Sequence, residues 1–222
     1  MNTQVEITKN GTTTLATAGK YCDRNIDVNV SYTKCFDGSM GGEYDEYIDD
    51  NLTSVRFGGF AGTAFTKISL PNCTELKGTR NFAACPDLEV LELPEVVTTT
   101  DGLGYTFYAS TKLKKVSLPK LAYTPDTGGC FQGCSNIERI ELPMLSGTTI
   151  SNYTFRQCYA LKVIIIGGST LCPLGNVNAF QNCNNAIIYV PDNLVTDYQG
   201  ATNWATYASR IKSILEVPKE DE

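Results

Sequence analysis

A leucine-proline pair recurs through the chain at an almost constant interval. The pairs and their continuations are Leu70-Pro71, Leu93-Pro94, Leu118-Pro119, Leu142-Pro143, Ile166-Gly167 and Val190-Pro191. The intervals between them are 23, 25, 24, 24 and 24 residues. A period of about 20 to 29 residues indicates coils that stack along one axis, because each coil buries its apolar side only against its neighbours. The repeat therefore predicts a solenoid.

A second marker keeps the same period. It is a phenylalanine, found at Phe82, Phe107, Phe131, Phe155 and Phe180. Three residues later comes a small residue, at Cys85, Ser110, Cys134, Cys158 and Cys183. We expect these small side chains to fill one buried slot per coil, since a free cysteine behaves as a small apolar residue. A metal or redox role is the alternative for the thiols.

The apolar spacing around each leucine-proline pair indicates a short strand. Leu88, Leu91 and Leu93 would point inward from one strand, and the proline would end it where no ladder bond is lost. A weaker first copy is expected over residues 52–57. We predict about six coils over residues 51–191, stacked as parallel strands.

The unit Leu-x-x-Ile-x-Leu-Pro followed by Phe-x-x-Cys-x-x-Leu resembles the BspA-like, or Treponema-type, leucine-rich repeat. The resemblance covers about residues 52–191, and Ser110, Gly167 and Ala186 depart from its pattern. It implies a right-handed solenoid with parallel strands on one face. Members are generally surface or interaction proteins, so the resemblance implies a binding or structural role and supplies no catalytic residues.

Both flanks carry a second resemblance. Residues 10–30, from Asn10-Gly11 to Val30, are similar to N-terminal segments of phage and prophage tail-associated proteins of gut bacteria. Residues 190–212 are similar to the C-terminal cap that often closes this type of repeat. These likenesses imply a place in a virion, with a bacterial cell-surface protein as the alternative.

The N-terminal flank divides into two segments. Residues 1–33 predict a small β unit, in which Asn10-Gly11 forms a hairpin turn and Ile26, Val28 and Val30 alternate as a strand. This unit would either cap the first coil or dock onto a partner, including a second copy of the chain. Residues 34–50 predict a solvated acidic and glycine-rich linker. The alternative is a Ca²⁺ site, although the acids do not follow EF-hand spacing.

The C-terminal flank changes from strand to helix periodicity. Trp204, Tyr207, Ala208 and Ile211 lie on one face of a predicted helix, so residues 192–216 predict a helical cap. Trp204 would cover the open end of the last coil, or stack on a ligand. Residues 217–222 predict a disordered tail.

Composition narrows the function classes. The chain has no histidine, which removes histidine-based triads and histidine metal ligands. Its net charge is −6 without a basic run, so nucleic acid is not an expected partner. We expect no cofactor and no metal, and we see neither a signal peptide nor a stretch long enough for a membrane span. The nine cysteines predict no disulfide framework, and Cys22, Cys35, Cys73 and Cys172 have no assigned role.

The outward strand positions predict the binding surface. One column alternates in charge as Glu89, Lys114, Glu138 and Lys162, which predicts cross-strand ion pairs, with a polar recognition strip as the alternative. The candidate binding residues are Arg56, Lys67, Glu92, Lys115, Arg139, Glu141, Val163, Ile165 and Tyr189. The last three predict an apolar patch that is either an interface or the seat of the cap. The variable stretches over residues 98–105 and 123–129 are further candidates.

The sequence therefore predicts a non-enzymatic binding or structural module. We expect it to serve a phage or prophage tail in host-surface recognition or assembly, with an adhesin-like surface protein as the alternative. Its expected partners are a protein or glycan on a bacterial surface or another virion subunit, and self-association through residues 1–33 is a further expectation.

Overall fold

The computed structural model describes residues 4–9, 12–17, 46–50 and 52–219. Its strands are β1 (Gln4–Lys9), β2 (Thr12–Thr17), β3 (Glu46–Ile48), β4 (Ser54–Val55), β5 (Lys67–Ser69), β6 (Glu75–Leu76), β7 (Val90–Glu92), β8 (Thr98–Thr99), β9 (Lys115–Ser117), β10 (Arg139–Leu142), β11 (Val163–Ile166), β12 (Ile187–Val190) and β13 (Ile211–Ser213). One α-helix, α1 (Val195–Gly200), and four 3-10 turns (Val177–Phe180, Asp192–Leu194, Trp204–Arg210, Ile214–Glu216) complete the described elements. None of these helical segments has the length and apolar character needed to cross a membrane.

Parallel ladders join the coils. One sheet has the order β2-β1-β3-β5-β7 and another the order β13-β12-β11-β10-β9, while β4, β6 and β8 form a short third sheet. Within the second sheet Val116, Ile140, Ile164 and Ile188 share one register and are buried. The predicted parallel strands are confirmed, and the predicted inward residues Leu88, Leu91 and Leu93 are buried.

The N-terminal hairpin continues the first sheet. Strands β1 and β2 pair antiparallel with Lys9 opposite Thr12, and the predicted turn at Asn10-Gly11 lies outside the described residues. Strand β1 also pairs antiparallel with β3, so the hairpin is joined to the first coil. The predicted strand at residues 26–30 and most of the acidic segment, residues 34–45, lie outside the described residues.

The first coil begins earlier than the sequence pattern indicates. Strand β3, inside the predicted acidic linker, pairs in parallel with β5. Tyr47 is fully buried, lies 5.3 Å from Phe60 between ring centroids, and donates its hydroxyl to the buried Asp49 at 2.9 Å. The prediction of a solvated linker is therefore wrong for residues 46–49. The predicted first copy at residues 52–57 instead supplies β4 of the short sheet, because β4 pairs with β6.

The phenylalanines stack into a continuous column, here called the phenylalanine wall: Phe60, Phe82, Phe107, Phe131, Phe155 and Phe180. Successive ring centroids lie 5.0 to 5.9 Å apart. The small slot three residues later is buried as predicted, and the side chains of Cys85, Ser110, Cys134 and Cys158 donate back to the preceding coil. The Cys134 thiol reaches the Phe107 carbonyl at 2.9 Å, and the Ser110 hydroxyl reaches the Phe82 carbonyl at 2.7 Å.

The C-terminal cap is mixed rather than helical. Trp204 packs against Phe180 in a tilted arrangement, with 5.8 Å between ring centroids, and donates its indole N–H to the Cys172 carbonyl at 2.8 Å, so it covers the end of the wall. The predicted helical face over residues 204–211 is wrong, because Ile211 begins β13 and pairs with Ile188 of β12. The open edge of β12 satisfies the backbone of residues 211–213, and this tertiary pairing outweighs the local helical pattern.

Candidate binding site on the sheet face

The register places most of the predicted binding residues in two outward columns, which form the sheet face. Lys67 pairs with Val90 in the first sheet, and Lys115, Arg139 and Val163 align in the second. The other column contains Glu92, Glu141, Ile165 and Tyr189. The prediction of Arg56 in this second column is wrong, because Arg56 follows β4, which belongs to the short sheet. Ile48 of β3 occupies the position that was assigned to Arg56.

The charged members of these columns pair with one another. Lys67 Nζ lies 3.3 Å from Glu92 Oε1, and Lys115 Nζ lies 3.4 Å from Glu141 Oε2. Arg139 Nε donates to Glu141 Oε1 at 2.6 Å. Burial raises the pKa of Glu141, but the hydrogen bond from Arg139 and the charge of Lys115 outweigh it and hold that pKa below its ordinary value.

The predicted apolar patch is covered. Ile165 is 8% exposed and Tyr189 is 5% exposed, while Val163 is half-buried. The adjoining elements belong to the predicted cap segment, residues 192–216, although they are not helical: β13 pairs with β12, and the turn Ile214–Glu216 contacts β12. Of the two alternatives for this patch, an interface or the seat of the cap, the burial of Ile165 and Tyr189 therefore agrees with the second.

The sheet is interrupted between β7 and β9, at a joint here called the seam. The two strands belong to different sheets although they follow each other in the stack. At other joints the residue after the strand donates to the next coil: Leu70 N–H bonds the Glu92 carbonyl at 3.0 Å, and Leu118 N–H bonds the Glu141 carbonyl at 2.9 Å. Within the described part of the chain, the equivalent N–H of Leu93 has no such acceptor. The backbone ladder therefore opens at the seam.

A cleft of about 590 Å³ lies over the seam. Its floor is apolar, and charged side chains stand around it. The lining consists of Ser69, Pro71, Glu89, Val90, Leu91, Glu92, Leu93, Pro94, Lys114, Lys115, Ser117 and Pro119. Val90 is the accessible apolar anchor, since it is 44% exposed. The volume is in the range of ligand pockets, which span about 300 to 1,000 Å³.

Ion pairs between side chains bridge the seam where the ladder is open. Lys114 Nζ lies 3.1 Å from Glu89 Oε2, as the alternating column predicts. Lys112 with Asp87 and Lys120 with Glu95 span the same two coils at 2.6 and 2.5 Å. The hydrogen bond to Asp87 raises the pKa of Lys112. The cleft is therefore rimmed by both signs of charge, with acids from one coil and lysines from the next.

The buried thiols are poor nucleophiles. Burial raises the pKa of Cys134 to about 12 and that of Cys183 to about 11. Since the thiolate is the reactive form, these groups stay protonated and inert at neutral pH. Among the residues that the structure describes, no group of three or more acidic or cysteine side chains could hold a metal ion. The arrangement on the sheet face is suited to recognition by shape and charge.

The comparison with protein families decides the class of the chain. The model of the BspA type leucine-rich repeat region matches it in six copies, over residues 32–127 and 103–212. The chain belongs to this family of leucine-rich repeats. No curated protein matches the chain's sequence. The family match begins before residue 46, in agreement with the place of β3 in the first coil of this leucine-rich repeat.

Only some of the residues that line the cleft were predicted from the sequence. Glu92 and Lys115 were predicted site residues and line it, whereas Val90, Leu91 and Lys114 were not selected. The one available signal was the interval of 25 residues between Leu93 and Leu118, the longest in the series. That irregularity falls on the seam.

Proposed function

We propose that this leucine-rich repeat chain is a non-enzymatic binding module of a phage or prophage tail. In this proposal it recognises a protein on the bacterial surface through the cleft at the seam. The observation that carries the proposal is the cleft itself, an apolar concavity on an otherwise charged and ion-paired sheet face. Apolar floors with polar rims are the usual anatomy of protein recognition sites.

The rim favours a protein over an apolar small molecule. A partner side chain would fill the space over Val90 and Leu91, while its flanking charged groups would meet Glu89 and Lys114. Both rim groups are largely exposed, so their mutual ion pair is weak and exchangeable. Burial of the partner's anchor would supply most of the affinity, and the charges would set its orientation.

The N-terminal hairpin supports attachment to a particle. Strand β2 is the last strand of its sheet among the described residues. Its outer backbone edge is a surface onto which a strand of another virion subunit, or a second copy of this chain, would add. The resemblance of residues 10–30 to tail-associated segments favours the virion subunit.

The test uses fluorescently labelled full chain and intact gut bacterial cells. We expect binding to cells that carry the receptor, and loss of binding after the cells are treated with protease. The variant Val90→Asp should abolish binding without unfolding the chain, because Val90 is exposed. The matched control is Val97→Asp, an equally exposed valine (48%) outside the cleft lining, and it should bind as the unmodified chain does.

The outcomes separate the two functions. Binding to mucosal or epithelial animal cells but not to bacteria would favour the adhesin-like alternative. Equal loss of binding in both valine variants, or no effect of either, would reject the cleft as the site.

A further inference from the structure

The outer surface of the phenylalanine wall carries a second cluster that the cleft does not explain. In the five coils from Phe60 to Phe155 the phenylalanine is flanked, two residues before and two residues after, by a residue in the left-handed backbone region. The preceding position is held by Gly58, Arg80, Tyr105, Gly129 and Tyr153, with φ between 54° and 62°. Side chains at this position face outward, while the phenylalanine between the two left-handed residues points into the core.

Glycine is the residue that this backbone position favours. It occurs there in two coils, which shows that the fold accepts it. Arg80, Tyr105 and Tyr153 instead place large side chains in a conformation that disfavours them. Three large side chains in a conformation that glycine adopts without cost motivate a hypothesis about what these side chains do.

The three-residue cluster of Arg80, Tyr105 and Tyr108 is ordered by its own contacts. The Arg80 guanidinium lies 4.8 Å from the centroid of the Tyr105 ring and 6.0 Å from that of Tyr108. The two rings meet edge to face at 5.7 Å. A Cβ at Gly129 would lie 2.5 Å from the Tyr105 ring. The ring therefore fits in this position because residue 129 has no side chain.

The charge of this cluster is not neutralised, in contrast to the sheet face. Within the described part of the chain no acidic side chain forms an ion pair with Arg80 or Arg156. Both guanidiniums instead stack on tyrosines, Arg156 lying 4.8 Å from the Tyr153 ring centroid. In a chain of net charge −6, two stacked and unpaired arginines on one wall form a site suited to an anion.

Backbone groups around the cluster are occupied. Tyr105 N–H donates to the Gly128 carbonyl, Phe107 N–H to the Cys130 carbonyl, and Ala109 N–H to the Gln132 carbonyl. A peptide that adds as a strand finds no open edge here. Recognition has to use the exposed parts of the tyrosines, including their hydroxyls, and the planar guanidiniums, which suit sugar hydroxyls and carboxylates.

We propose that this wall binds a linear, carboxylate-bearing polysaccharide, with Arg80, Tyr105 and Tyr108 as the main site and Tyr153 with Arg156 as a second contact. Arg80 and Arg156 lie three coils apart, roughly 15 Å at the spacing of parallel strands. A polymer of acidic sugars running along the stack would bring successive carboxylates to both arginines. This inference is independent of the proposed protein recognition at the cleft.

The test measures binding of a short oligogalacturonate to the full chain by calorimetry. The probes for comparison are its carboxyl-reduced, neutral form and a glutamate peptide of similar charge. The main variant is Tyr105→Gly, which relieves the backbone and should keep or raise the melting temperature. The control is Tyr159→Ala, which removes a more exposed tyrosine (56%, against 36% for Tyr105) that takes no part in the ring contacts of the cluster.

We expect the acidic oligosaccharide to bind and its neutral form not to bind. Tyr105→Gly and Arg80→Gly should each weaken binding about tenfold or more, while Tyr159→Ala leaves it unchanged. Absence of binding to the acidic oligosaccharide would overturn the proposal. Equal affinity in Tyr105→Gly and the control, or tighter binding of the glutamate peptide, would overturn it as well, the latter in favour of an acidic protein segment.

Discussion

The two long walls of the stack come from the same repeat but join the coils in different ways. On the phenylalanine wall the rings stack without a break from Phe60 to Phe180. On the sheet face the ladder stops at the seam between β7 and β9, where ion pairs and a cleft replace backbone bonds. The continuous wall keeps adjacent coils in place, so the sheet can open and offer a concave surface without dividing the fold.

The two walls also differ in the partners of their charged side chains. On the sheet face lysines of one coil meet acids of another, as with Lys67 and Glu92 or Lys114 and Glu89. On the outside of the phenylalanine wall Arg80 and Arg156 stack on tyrosines instead. Stability and recognition are thus distributed over different positions of one repeat.

The largest expected effect comes from breaking the continuous wall. Phe107 is fully buried and stacks on Phe82 and Phe131 beside the seam. Replacing it by alanine should lower the free energy of unfolding by about 3–5 kcal/mol, through lost burial and a cavity. Urea denaturation measures this, with Tyr159→Ala as the exposed control at about 0.5 kcal/mol or less. A loss similar to that of the control would show that the wall does not hold the coils together.

The hydrogen bond of the small slot should have the next largest effect. Ser110 Oγ donates to the Phe82 carbonyl at 2.7 Å and accepts the Cys85 N–H at 3.2 Å. Ser110→Ala takes this hydrogen-bond partner away from the buried Phe82 carbonyl and from the Cys85 N–H. It should lower the free energy of unfolding by about 1–3 kcal/mol. Ser110→Cys restores the residue that other coils use and should cost less. A larger cost for cysteine than for alanine would contradict the role assigned to this slot.

The sheet face should be the acid-sensitive side. The pKa of Glu141 is lowered in the folded chain, so its ionised form contributes stability above its unfolded pKa, near 4.5. That contribution is lost as the pH falls through the lower folded pKa. Thermal melts between pH 6 and pH 3 should show a smaller decrease of stability for Glu141→Gln than for the unmodified chain. Parallel decreases would mean that the pairing with Arg139 and Lys115 adds nothing.

The smallest expected effect comes from relief of backbone strain at a position in the left-handed region. Ala109 has a φ of 55°, at a position where other coils have Gly62 and Gly133. Ala109→Gly should raise the free energy of unfolding by about 0.5–1 kcal/mol, because relief of the left-handed strain exceeds the entropic cost of glycine. The control is Ala83→Gly, a buried alanine without a positive φ, which should instead be destabilised by about 0.5–1 kcal/mol. The same sign for both variants would contradict the strain argument.

Much of the fold was predictable because residues that recur at the repeat period occupy equivalent packed positions in successive coils. Inward residues such as Leu91 and Ile140, the buried cysteines and the parallel pairing all follow from spacing alone. The ends were less predictable, because Tyr47 and Ile211 enter the sheets by pairing with an adjacent strand, a tertiary event that local composition does not record. Trp204, however, follows Phe180 by 24 residues, and this interval could have placed it on the wall.

The candidate site was only partly predictable. Outward columns follow from strand alternation, so Glu92 and Lys115 could be selected. Alternation does not say where a ladder opens, since that depends on the hydrogen bonds between two coils. It also does not say that β13 and the following turn cover Ile165 and Tyr189.

The proposed recognition depends on an open backbone ladder at the seam, next to coils whose strands are joined by backbone hydrogen bonds. Native-state hydrogen exchange measured by NMR tests it directly, by comparing the amides of Leu70, Leu93 and Leu118, which hold equivalent places after their strands. We expect Leu93 to exchange faster than both others by on the order of tenfold or more, because its N–H lacks the acceptor that they have. Equal protection of all three amides would show a closed sheet and would contradict the cleft on which the proposed recognition rests.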